Sequence, residues 1–380
     1  MVAAHASPRN WRKSLLHVAT IYIYSPTPPP FGRRDWGPHI QLHLLKEADS
    51  THPAELNTDW QTADIETFIS KIVRFVRREG LDVLHFHYAV PFAYVAAAVK
   101  HILGDAAPLI VGTLHGTDVV THGAIPDTNW RLRQAFGQVD YLTAVSHHHA
   151  QLAQQIFQLP QLPKVIPNFT SPSQIMSKPP NKKRPFRLIH LSNFRPIKHT
   201  TMLAHIFVKV QQQLDAELWL IGDGPEMAVT QRILKVAGVE PAVRYWGLQT
   251  NVAPILAQGD LLLVTSHYES FCMAALEGME NGLVVLATHV GGLPELVVHN
   301  GTGFLLPPND EGAFVRAIHL LNNQPAQLDR MKTAAKQRAA LFSPEAAAAA
   351  YEKLYQQSQA IPRSVWSSFS RVTPPVIAML

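Results

Sequence analysis

The chain has 380 residues, a formal net charge of +5 and 47% hydrophobic residues, enough for two domains with cores of their own. No uninterrupted apolar run is long enough to span a membrane, and a single cysteine, Cys272, excludes an intramolecular disulfide and fits a reducing compartment. The basic clusters Arg33–Arg34, Arg77–Arg78 and Lys182–Arg184 lack interleaved aromatics or a nucleic-acid motif, so the charge reads as suited to an anionic small molecule.

Arg9, Arg12 and Lys13 precede a short apolar stretch, but no small-residue cleavage site follows, and a cytoplasmic protein without membrane association is expected. In the first half, strands are predicted over Thr20–Tyr24, Ile40–Leu45, Asp82–His87, Leu109–Leu114, Tyr141–Val145 and Lys164–Ile166, with a helix over Ile65–Arg78. His147–His149 follow the fifth of these strands, open a predicted helix and read as surface polar residues; no pair among the 20 histidines has metal-site spacing with a partner cluster, and no metal is implied. Residues 169–184, rich in Pro, Ser, Lys and Asn, form a linker. The second half gives strands over Phe186–Leu191, Glu217–Ile221, Val243–Trp246, Leu261–Thr265 and Val284–Ala287, with helices over Thr200–Gln213 and Glu311–Leu321. Strands apolar on both faces, alternating with helices, make parallel sheets covered on both sides. The fold class is α/β, with two Rossmann-like domains over 1–168 and 185–341, an Ala-rich helical segment over 342–360 and a tail, 361–380.

Ligands of such sheets bind outside the carboxyl ends of the strands. Arg195 and Lys198 follow Phe186–Leu191, where a guanidinium and an ammonium can clamp a diphosphate; solvated loop cations are the plain alternative. Gly222-Asp223-Gly224 ends the next strand as a turn that also fits a nucleotide loop. Glu269 and Glu277 stand eight residues apart, the first in a strand-to-helix loop and the second in the helix. Carboxylates beside a helix start can accept hydrogen bonds from sugar and ribose hydroxyls, and a solvated Glu on an ordinary helix is the alternative.

The segment E-S-F-C-M-A-A-L-E (Glu269–Glu277) resembles the E-x7-E signature of family 4 glycosyltransferases, retaining enzymes of GT-B fold. Further motifs follow that family's order: H-F-H-Y-A-V-P (His85–Pro91), T-L-H-G-T-D (Thr113–Asp118), S-N-F-R-P-I-K (Ser192–Lys198), G-D-G-P-E (Gly222–Glu226) and G-G-L-P-E (Gly291–Glu295). Together they are most similar to the subgroup making N-acetylglucosaminyl-L-malate in bacillithiol biosynthesis. The resemblance implies two sheets facing a central cleft and a last helix, Pro344–Gln357, crossing back to the first domain. It implies a UDP-sugar donor, UDP-GlcNAc or another, and a small anionic acceptor, L-malate. Catalytic roles fall to His115, Arg195, Lys198 and Glu269. Donor contacts fall to Gly222, Asp223, Gly224, Ser270, Phe271, Cys272 and Glu277, and acceptor contacts to His87, Tyr88, Thr117 and Asp118. No metal or cofactor is implied; a homodimer is compatible with this reading, and a lipid or glycan acceptor stays open.

Two departures stand out. Cys272 replaces the family's usual glycine, either as an inert small substitution or as a thiol activated by a helix N-terminus. Residues 1–16 hold no glycine, and Thr20–Tyr24 matches the family's second strand, so the first strand and its glycine-rich loop are expected to be missing. Ser25–Phe31, S-P-T-P-P-P-F, cannot replace the loop's amides, because proline has no N–H. A catalytically degenerate nucleotide-sugar-binding protein is the further alternative.

Overall fold

The computed structural model describes residues 16–21, 40–45, 62–170 and 184–359. The chain divides into two compact units, one of residues 1–143 and 348–380 and the other of residues 144–347. In chain order the first half runs β1 (Leu16–Ile21), β2 (Ile40–Leu45), α1 (Thr62–Glu79), β3 (Val83–His87), α2 (Phe92–Leu103), β4 (Leu109–Leu114), α3 (Thr117–Val120), α4 (Pro126–Phe136), β5 (Tyr141–Ala144), α5 (His147–Phe157) and β6 (Lys164–Val165). These strands form one sheet in the order β2-β1-β3-β4-β5-β6. On α1, the buried residues Ile65, Phe68, Ile69, Ile72, Val73 and Val76 recur at helical spacing, while Lys71, Arg74 and Arg78 on the other side are exposed.

Strand β1 begins four residues before the expected Thr20–Tyr24, whose last three residues lie outside the described ones. It is parallel to neighbours on both sides, Val18 standing opposite both Leu42 of β2 and Val83 of β3. It is therefore an inner strand, second in the sheet between β2 and β3, where the strand order reverses. The expected loss of the family's first strand concerns residues before β1, which lie outside the described ones. The expected absence of a glycine-rich loop falls on residues outside the described ones.

The second half runs β7 (Phe186–Leu191), α6 (Thr200–Gln211), β8 (Ala216–Ile221), α7 (Met227–Val236), β9 (Val243–Gly247), α8 (Ala253–Leu256), β10 (Leu261–Val264), α9 (Met273–Glu280), β11 (Val284–Thr288), α10 (Leu293–Leu296), β12 (Gly303–Leu306), α11 (Glu311–Asn323), α12 (Pro325–Ala339) and α13 (Pro344–Gln359). Its sheet has the order β12-β11-β10-β7-β8-β9, so β7 and β10 flank the reversal point. Leu188, Leu218, Leu220, Leu261 and Leu263 point into one core with Phe207 and Phe314. Their neighbours Ile189, Trp219, Ile221, Leu262 and Val264 point into the other with Met279 and Ala335. Both faces are apolar because both are covered by helices. β12 and α12 are additions to the predicted elements: β12 carries two glycine-flanked turns close by, and α12 is strongly charged, so neither has a clear apolar period.

A buried ionic knot fastens the start of the second sheet. The Arg184 guanidinium donates to both oxygens of Asp260 at 2.7 and 3.0 Å, Lys332 Nζ reaches Oδ1 at 2.9 Å, and the Arg187 amide donates to Oδ2 at 3.0 Å. Burial alone would raise the Asp260 pKa; Arg184, Lys332 and the Arg187 amide outweigh it and hold the carboxyl below its ordinary value. Removing the buried carboxylate strands two half-buried cations. Asp260→Ala is expected to cost on the order of 3–5 kcal/mol, seen as a lower urea midpoint at unchanged slope. Because the folded value is depressed, the contribution of Asp260 is present above about pH 4 and fades as pH falls through the lower folded value, so the variant's deficit should shrink in acid.

Candidate functional site

In the second unit, the loops after β7 and β10 flank the reversal point, where a doubly wound sheet opens a crevice. The first loop carries Arg195 and Lys198, the second Glu269. Lys198 Nζ meets Glu269 Oε1 at 2.7 Å, and Ser266 Oγ donates to the same oxygen at 2.7 Å. Glu269 Oε2 has no hydrogen-bond partner among the described residues. Burial pulls the Lys198 pKa down, but Glu269 more than offsets it, and the ammonium is held charged above its ordinary value. Arg195 is half-buried and has no side-chain partner among the described residues. The arrangement presents one paired and one unpaired cation to an anion, with a carboxylate oxygen open to a hydroxyl.

A buried histidine shapes the cation loop. His190 Nδ1 lies 2.9 Å from the Leu263 carbonyl, which can only accept, so Nδ1 carries the proton. Burial lowers the His190 pKa to about 4, so the ring is neutral at pH 7 and Nε2 accepts from Ser192 Oγ at 2.8 Å. Ser192 Oγ in turn accepts the Phe194 amide at 3.1 Å. Phe194 holds a φ of 42°, an uncommon value for a side-chain-bearing residue, immediately before Arg195. Gly222 and Gly224 press on the same loop: a Cβ on either would come within 1.9 Å of the Ser192 or Asn193 carbonyl. These glycines, expected at the donor, have this close approach as their physical requirement. Asp223 is exposed and accepts the Gly224 amide at 2.8 Å. His190 and Ser266 were not singled out from the sequence; a histidine between the apolar Ile189 and Leu191 of β7, and a Ser three residues before Glu269, are the signals that could have found them.

Between Glu269 and α9, the Phe271 ring is 2% exposed and belongs to the core, so its expected contact with a ligand is limited to its backbone. Cys272 has φ 80° and ψ 80°, a left-handed conformation that favours glycine and costs on the order of 1 kcal/mol for other residues. Its thiol is buried, and burial, followed by the Glu269 charge, pushes its pKa far above the ordinary value. The inert reading of Cys272 fits; an activated thiolate does not. Ellman's reagent at pH 8 should find almost no fast-reacting thiol in the native protein and one per chain after denaturation.

Glu277, in the second turn of α9, has its pKa raised to about 7 by burial and then by the Glu280 charge. A raised carboxyl contributes fully below its unfolded value and loses that contribution as pH climbs through the folded one. Wild-type stability should therefore fall between about pH 4.5 and 7 by on the order of 3 kcal/mol from this group, and Glu277→Gln should flatten that slope in thermal melts.

In the first unit, the ends of β3 and β4 bring His87, Tyr88, His115 and Asp118 together. His87 Nδ1 and His115 Nε2 are 2.9 Å apart, and the Tyr88 and His115 ring centroids are 4.7 Å apart. Burial lowers the His87 pKa to about 4, so it is neutral at pH 7. Behind them, His85 bonds the Tyr355 hydroxyl through Nδ1 at 2.8 Å and Thr113 Oγ1 through Nε2 at 2.7 Å, and Tyr351 reaches Thr113 at 3.1 Å. The second half of α13 thus rests on a polar network beneath the His87–His115 pair. Thr117 opens α3 and is half-buried. Asp118 corrects an expectation: it is buried, and its oxygens accept the Ala89 amide at 2.6 Å and the His115 amide at 2.7 Å. It clasps the two loops together and has no face toward an acceptor. The reading of His147–His149 as surface residues is corrected for one of them, since His149 is fully buried. Among the described residues, no group of three or more His, Cys, Asp or Glu is placed to hold a metal ion, and no helix is long and apolar enough to cross a membrane.

A family model described as Glycosyl transferases group 1 matches residues 185–324, and one described as Glycosyltransferase Family 4 matches residues 10–174. The chain is 34% identical over 295 residues to the N-acetyl-alpha-D-glucosaminyl L-malate synthase of Bacillus anthracis, covering 75% of this chain and 77% of that protein. Among solved structures, Anabaena Alr3699/HepE in complex with UDP and glucose superposes with a TM-score of 0.71 at 19% identity, covering 90% of this chain and 100% of that one. Sucrose-phosphate synthase from Thermosynechococcus elongatus gives 0.68 at 19% identity, covering 90% and 98%. At these identities the two structures speak for the fold alone.

Proposed function

The chain belongs to glycosyltransferase family 4 and has the GT-B fold, and on that premise we propose that it moves N-acetylglucosamine from UDP-GlcNAc to L-malate with retention of configuration. The observation that carries this reading is the 34% identity to a protein of that name over three quarters of the chain. The geometry of the second unit supports it. As the sugar departs, negative charge grows on the UDP diphosphate. Arg195, without a side-chain partner among the described residues, and Lys198, held charged, would stabilise that charge more than the ground state, without a metal ion. Glu277 would take the ribose hydroxyls, and the open Oε2 of Glu269 a hydroxyl of the sugar. In the first unit, His87 Nδ1 stands 2.9 Å from His115 Nε2 and braces that ring.

The test is UDP release from UDP-GlcNAc with and without L-malate, with the product's anomeric configuration read by proton NMR. Malate-dependent release of an α-linked product, indifferent to EDTA, is expected. UDP binding by calorimetry without malate-dependent release would sink the acceptor assignment. Lys198→Ala should lower kcat by roughly 100- to 1,000-fold with a smaller change in donor KM, as for loss of one group that acts on developing charge.

A further inference from the structure

The first turn of α5, S-H-H-H (Ser146–His149), is bound at several points to the loop that carries Glu269. Ser146 Oγ donates to the Ser270 carbonyl at 2.6 Å and accepts the His149 amide at 3.1 Å, so one atom caps the helix and grips the loop. His149 Nδ1 meets the Tyr268 hydroxyl at 2.8 Å inside the protein. The Glu295 carboxylate accepts the His147 and His148 amides, each at 2.8 Å. Glu295 lies three residues after Gly292, whose amide donates to the Glu269 carbonyl at 2.8 Å. Tyr268, Glu269 and Ser270 are therefore each held from outside their own loop, and two of the three holds come from the turn.

We infer that the Ser146–His149 turn is a latch that positions the Glu269–Cys272 loop, making Ser146, His149 and Tyr268 positioning residues for the Lys198–Glu269 pair. A 2.7 Å ion pair does not survive an ångström of slip in the loop that carries one partner. Nothing within the loop other than Ser266 bonds the Glu269 side chain, so the loop's path has to be fixed from its neighbours. The latch's catalytic meaning rests on the donor reading above; its structural meaning rests on these bonds alone.

Cys272, the single thiol of the chain, stands buried at the end of this loop and reports its opening. Labelling of native Cys272 by Ellman's reagent should run roughly fivefold faster in Tyr268→Phe and in His149→Phe, the effect of losing one net hydrogen bond. The double variant should label no faster than the faster single one, because both remove the same bond. Ser146→Ala should add its own increase. Ile72→Val, on the buried face of α1, serves as a control for general loss of stability. Tyr268→Phe keeps the ring and should fold. Rates in the three latch variants no higher than in the control, or multiplying effects for Tyr268 and His149, would overturn the latch. Saturating UDP should slow labelling of the wild type. A wild-type rate indifferent to UDP counts against the donor reading and leaves the comparison among variants intact. For turnover, Tyr268→Phe should lower kcat more than it raises malate KM, a split that a general packing defect would not produce.

Discussion

Lys198 and Glu269 stand on different loops, and their 2.7 Å bond ties the two sides of the reversal point in the second sheet. Two opposite charges this close, each mostly shielded from water, stabilise one another only while both loops keep their shape. Much of the surrounding structure answers that requirement. The His190–Ser192–Phe194 chain and the abutting Gly222 and Gly224 fix the lysine's loop. Ser266, Gly292 and the Ser146–His149 turn fix the glutamate's.

Histidine does much of this bracing, and it does so uncharged. His85, His87, His149 and His190 all have pKa values lowered first by burial. A neutral imidazole offers one donor and one acceptor on opposite sides of a rigid ring. It can therefore pass a hydrogen bond from a strand to a loop, as His190 does, without the desolvation cost of a buried charge. The abundance of histidine in this chain, which suggests metal ligands or surface polarity on a first reading, is partly a supply of such rigid bridges.

The parallel sheets could be read from strands such as Leu261–Val264 and Val284–Thr288, apolar on both faces and buried throughout. The cation loop and the two carboxylates could be placed because strand ends announce themselves where an apolar run stops. What a side chain bonds to across the fold leaves no such mark. Asp118 looks like an exposed loop acid until its oxygens are found on the Ala89 and His115 amides. His149 looks like its neighbours His147 and His148, yet the helix turns it inward toward Tyr268. The place of β1 between β2 and β3 depends on pairing that six mixed residues cannot declare alone.

On the proposed function, Glu277 would set folding against ligand binding. A carboxyl raised to about 7 with only like charge nearby is a liability that an amide or methionine would relieve. Drift under selection for heat resistance alone would erase it within a lineage. Its persistence in a descendant sequence therefore carries information that persistence of a core leucine does not. Across relatives of this chain, an intact glutamate at this position would mark copies still under selection for the ligand, and its replacement would date the point at which that selection lapsed.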